Sequence, residues 1–177
     1  MTILAMQSHL DATRAHGWSV IAREPPGSAP GIPWLPPVAF ERLPSDYAGF
    51  LHAYRAFGNA DATAWFLMLE DYAGATDASF AWDEFEAQSL AAALDEEARE
   101  EIRRFWRRHL PILISLKDGY SFLALDLSEP GSAPVMIGSA PEYEDVSPFC
   151  RSIEELFAMV SAHLCGQRPH PVLDRLL

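Results

Sequence analysis

The sequence predicts an α+β fold: a central, mostly antiparallel sheet flanked by helices. Three observations lead there. Two apolar segments meet at a sharp Asp-Gly turn, three long segments carry apolar residues at helical spacing, and the strands gather into hairpins instead of alternating with helices.

Taken in order, Ile3, Met6 and Leu10 recur at helical spacing, with Thr2 placed to cap a first helix and Gly17 to stop it. Residues 18–23 read as a short strand. Pro25, Pro26, Pro30, Pro33, Pro36 and Pro37 then forbid regular helix, so a stiff extended connector is expected over 25–37; such a segment can serve as a ligand for aromatic grooves, but packing on its own domain through Trp34 and Leu35 is the expectation here. Pro44 and Ser45 open the next helix. Tyr47, Phe50, Leu51, Tyr54 and Phe57 form one apolar stripe along it, and Gly58 supplies a left-handed stop. Residues 65–69 read as a buried strand, and 83–94 as a weak helix.

Asp95 caps a stronger helix with Ala98, Ile102, Phe105, Trp106 and His109 on one face. Its glutamates come early and its arginines late, which complements the helix dipole; Glu100 is placed to pair with Arg104, and Pro111 to end the helix. The clearest hairpin joins 112–116 to 120–127 through Lys117, Asp118 and Gly119. Leu123, Leu125 and Leu127 point one way, toward the core; Tyr120, Phe122, Ala124 and Asp126 point the other. Residues 135–139 form a third strand and 141–148 a polar loop. Ser152 with Glu155 makes a capping box for a last helix, whose stripe is Ile153, Leu156, Phe157, Val160 and Leu164, with Gly166 and Pro169 at its end. The tail, 167–177, reads equally as ordered or frayed.

Composition narrows the function classes. With 49% apolar and 21% charged residues among 177, the chain suits one globular domain. No stretch approaches the roughly 18 apolar residues of a membrane span. Met1 to Leu10 lacks the basic start of a secretory signal, and Cys150 and Cys165 have no metal or disulfide spacing, so a cytoplasmic setting is expected. A net charge of −12 argues against nucleic-acid binding; it suits either a basic protein partner or solubility alone.

Catalytic signals are weak. His9, His16, His52, His109, His163 and His170 are scattered, and His109 and His163 fall at helix ends, where binding carbonyls is the commoner task. Cys150 reads as a half-buried thiol before a helix and not as a nucleophile. Glu142, Glu144 and Asp145 fit no calcium loop, but with Tyr143 among them they suit a partner surface. Asp126, beside Tyr120 and Phe122, either caps the turn at Leu127 and Ser128 or contacts a partner. No catalytic residue, cofactor or metal ligand is therefore assigned. The partner-binding candidates are Tyr120, Phe122, Asp126, Glu142, Tyr143, Glu144 and Asp145.

Three pieces carry a family likeness. The first is Leu43-Pro44-Ser45-Asp46-Tyr47 with Phe50-Leu51 and Phe57-Gly58. The second is Leu110-Pro111-Ile112, then Asp118-Gly119, Phe122 and Leu125-Asp126-Leu127. The third is Val135, the acidic residues from Glu142 to Asp145, and the helix opening at Ser152. In this order they resemble the SUKH superfamily, which includes yeast cell-wall assembly regulators and bacterial immunity proteins. The likeness spans about 43–164 of a single domain, leaving 1–42 as an extension and 165–177 as a tail. It implies helices around an antiparallel sheet, no catalytic set, and a role in binding proteins. A bacterial immunity protein would sit on a cognate toxin and block it; here the partner would be a basic toxin domain, a nuclease among the options. The alternative is a scaffold with several weak partners, in which the proline segment and the tail matter most.

Overall fold

The computed structural model describes residues 3–24, 43–74, 80–129 and 131–177, with side chains described from Gln7 onward in the first helix. The expected proline connector with Trp34 and Leu35, and the Thr2 cap, lie outside the described residues.

The fold is α+β. Its seven strands form one antiparallel sheet in which sheet order equals chain order: β1 (Trp18–Ala22), β2 (Tyr54–Asn59), β3 (Ala64–Phe66), β4 (His109–Ser115), β5 (Ser121–Asp126), β6 (Val135–Ser139) and β7 (Ser147–Cys150). Helices α1 (Ile3–Ala15), α2 (Ser45–Ala53), α3 (Leu69–Tyr72), α4 (Glu84–Ala92), α5 (Glu96–Trp106), α6 (Ile153–Leu164) and α7 (Pro171–Leu176) complete the described chain. Because β1 pairs with β2, the N-terminal extension contributes a strand to the sheet.

Cross-strand pairs share a face of a sheet. One face therefore carries Phe57, Phe66, Leu113 and Leu123, each paired with the next across the strands. Phe50 of α2 and Phe157 of α6 close on it, with ring centroids 5.0 Å apart, and Phe57 stacks on Phe66 at 4.6 Å. The other face carries Trp65, Ile114, Phe122 and Gly138. Phe85 of α4 covers Phe122 at 5.0 Å, and Trp106 of α5 packs beside it at 5.3 Å. The sheet is thus buried on both sides, not only on the leucine side of β5.

Four expectations are corrected. The helix opened by Ser45 ends at Ala53, not at Gly58. Tyr54 turns extended, and 54–59 form β2 between two partner strands. The buried Arg23 guanidinium donates to the Tyr54 carbonyl (3.1 Å) while pairing with Glu70, so the helix end is held by a side chain from β1's end. Gly58 is a close-approach residue: a Cβ there would meet Trp65 Cβ at 3.0 Å. Pro111 does not end α5, which stops at Trp106; it lies inside β4 beside a register shift, a position that tolerates a missing N–H. The strand expected over 65–69 stops at Phe66, and Leu69 begins α3. The loop expected over 141–148 yields β7 from Ser147.

Other features match. Asp95 Oδ1 accepts from Ala98 N–H at 2.9 Å, and Ser152 Oγ from Glu155 N–H at 3.2 Å. Gly17, Gly119 and Gly166 all take positive φ where turns require it. The tail is ordered: α7 buries Leu173 and Leu176, and Leu177 is buried after it.

Candidate functional site

Helices α4 and α5 form an antiparallel pair over the Phe122 face. Their apolar content is uneven. Phe85 is fully buried, whereas α5 buries none of its residues completely. The glutamate-early, arginine-late order of α5 forms ion pairs with partners different from the expected Glu100–Arg104. Arg103 binds Glu96 at 2.8 Å, and Arg107 binds Glu100 at 2.6 Å. At these exposures each pair adds little to stability.

Where α4 begins and α5 ends, the two helices and β4 enclose a groove of about 230 Å³. Trp82, Trp106, Leu110, Pro111 and Leu127 give it apolar walls; Asp83 and Glu86 bring carboxylates to it, and Arg107, Arg108 and His109 bring cations. Trp106 is fixed from behind, because its indole N–H donates to Glu144 Oε1 at 2.7 Å. Glu86 is half-buried. Burial, and then the neighbouring Asp83, hold its carboxyl above the usual range, with Arg103 and Arg107 pulling the other way. Among the described residues it makes no hydrogen bond or ion pair. His109 Nδ1 lies 3.0 Å from the Phe105 carbonyl, and its ring stacks on Phe105 at 4.0 Å, in keeping with the expected carbonyl-binding task.

The structure disperses the residues singled out from sequence. Phe122 is fully buried and Tyr143 nearly so, its hydroxyl donating to Gln88 Oε1 at 2.9 Å; in this fold both rings are packing groups. With Glu144 they stand behind the Trp106 wall. Glu142 and Asp145 are exposed and close a turn, Asp145 N–H donating to the Glu142 carbonyl at 3.1 Å. Tyr120 is 47% exposed and stacks on Phe80 at one end of β5. Asp126 stands at the other end, paired across the strands with His109. Its Oδ1 accepts from Ser128 N–H at 2.9 Å, which is the turn-capping geometry. Burial opposes its ionisation, but the Ser128 bonds, then His109 and Arg108, bring the carboxyl below its ordinary value.

Trp82, Asp83 and Glu86 were missed by sequence reasoning. Their signal was the aromatic density of Phe80, Trp82 and Phe85 on a weakly helical segment, more than one small helix needs for its own packing.

The chain matches no family model, no curated protein and no solved structure.

Two further sites fall on chemical grounds. Burial pushes the Cys150 thiol up to about 12, and its Sγ donates to the Ser152 carbonyl at 3.4 Å, so it is a poor nucleophile near neutral pH. His163 Nδ1 accepts from His170 N–H at 3.2 Å, fixing the approach to α7. Among the described residues no cluster of three His, Cys, Asp or Glu side chains is placed to hold a metal, and no helix is long and apolar enough to cross a membrane.

Proposed function

We propose that this chain is a non-enzymatic protein-binding domain of SUKH type, acting as an immunity protein that docks on a basic toxin domain and blocks it. One observation carries the docking part: the aromatic-walled groove between α4 and α5, which holds a half-buried carboxylate that makes no hydrogen bond or ion pair among the described residues. A net charge of −12 supports a basic partner, since an acidic surface steers such a protein toward it. The immunity part rests on the sequence resemblance. Its residues occupy framework positions: Leu43, Tyr47, Phe50 and Leu51 are buried around the start of α2, Asp118 and Gly119 turn β4 into β5, and Ser152 caps α6. The resemblance therefore speaks to the scaffold, and the groove to the partner.

The test is co-expression with the open reading frames encoded beside it. A single stoichiometric complex with a basic, toxin-like domain, together with rescue of growth, is the expected result. A broad set of weak partners would replace the immunity reading with the scaffold reading. Growth inhibition by the neighbouring product that this chain neither binds nor relieves would end the immunity reading.

A further inference from the structure

We infer that the groove is an anchor pocket for a single cationic side chain, lysine or arginine, presented by the partner. This rests on the docking reading above and names what the groove takes. The cavity of about 230 Å³ falls below the roughly 300–1,000 Å³ of sites for drug-sized ligands, which suits one side chain. Trp82 and Trp106 supply indole surface along which an aliphatic stem can lie and whose ring faces attract a cation. The head group of that stem is matched by Glu86. Its carboxyl is partly desolvated, and in the free protein the Asp83 charge beside it makes ionisation harder still. A cation seated beside Glu86 would offset both effects, because it favours the charged carboxylate.

The groove also holds positive charge, and its placement decides the sign of the guest. Arg107 is engaged by Glu100 at 2.6 Å, and Arg103, which also acts on Glu86, by Glu96 at 2.8 Å. Arg108 and His109 both act on Asp126, at the Leu127 end of the lining. Arg103 and Arg107 are thus held in ion pairs by carboxylates of α5, while Glu86 is left without a hydrogen bond or ion pair among the described residues. An anionic guest at Arg107 would have to displace its pair with Glu100, and one beside Trp82 would meet the carboxylates of Asp83 and Glu86.

The test is a titration of the full chain with a capped hexa-arginine peptide, followed through indole N–H resonances. The Trp82 and Trp106 signals should move saturably, a capped hexaglutamate peptide should leave them in place, and Glu86→Gln should weaken the arginine peptide by about tenfold. Trp82→Phe, milder than an alanine substitution, should retain binding, and Trp82→Leu should lose most of it, with amide spectra showing that both variants stay folded. Shifts confined to the exposed loop of Glu142 and Asp145, no shift at all, or equal affinity in Glu86→Gln would overturn the anchor. Because the peptide replaces the natural partner, the two ideas fail separately. Tight peptide binding without any toxin complex would sink the immunity reading alone. A toxin complex unaffected by Glu86→Gln would sink the anchor alone.

Discussion

Gly138 shows how one missing side chain positions the whole Phe122 face. A Cβ on Gly138 would fall 2.5 Å from Phe122 Cζ and 2.6 Å from Cε1, with Val146 Cγ1 at 3.0 Å on another side. Phe122 has nowhere to move, since it is fully buried against Phe85 and Trp106. Gly138→Ala should therefore cost about 1–3 kcal/mol, the usual range for overpacking, read as a lower urea midpoint with an unchanged slope. An unchanged midpoint would mean that β6 shifts freely against β5. Sequence alternation along β5 separated Phe122 from the leucines correctly, but period two says only which residues share a face. Whether both faces are covered depends on helices distant in the chain, and it was α4, the weakest helical pattern, that covered the second. The same gap misplaced Phe122 and Tyr143 at a surface. Asp126 was legible in part, because an Asp two residues before a serine N–H is a local geometry that needs no tertiary information.

At the scale of elements, capped starts and glycine-marked stops were readable, but the ends of α2 and α5 were not. Asp95 and Ser152 cap their helices through bonds to residues three positions on, and such bonds are written in local sequence. The ends of α2 and α5 are set by strand pairing and, for α2, by Arg23 reaching across from β1. Neither leaves a mark near Ala53 or Trp106. The tail was undecided in sequence for a similar reason: α7 is too short to persist alone and is held by Leu173, Leu176 and a histidine contact. That contact makes its docking sensitive to pH. His163 Nδ1 must be unprotonated to accept from His170 N–H. Burial lowers the imidazole from its ordinary 6.5; Asp174 opposes this, and His170 and Lys117 reinforce it. A base held below its unfolded pKa contributes stability that is complete above that pKa and is lost as pH falls from about 6.5 toward the lowered native value. Amide protection factors in α7, corrected for the intrinsic exchange rate at each pH, should therefore fall between about pH 7.5, above this window, and about pH 5.5, within it. His163→Gln, which keeps an acceptor without a titration, should flatten that dependence. An equal fall in protection in the variant would place the sensitivity elsewhere.

For the molecule as a whole, a seven-stranded meander in chain order buries both faces with helices drawn from both ends of the sequence, α6 from one end and α2 from the other closing on the same aromatic cluster. This arrangement leaves the α4–α5 pair on the outside, and with it the groove. The charge of −12 is a property of the whole chain, so its effect belongs to the approach of a partner and not to any one contact. If the partner is basic, long-range attraction accelerates encounter, whereas the groove governs how long the complex lasts. Between about 0.1 M and about 1 M salt the Debye length falls from about 10 Å to about 3 Å, which screens the first effect far more than the second. The association rate measured by stopped flow should drop by about tenfold or more across that range, while the dissociation rate changes much less. The Glu86→Gln variant should show the complementary pattern, a faster dissociation with nearly the same salt slope, because it removes one charge at the contact and leaves the field of the surface in place. An association rate indifferent to salt would assign the acidity to solubility, the other reading that composition allowed.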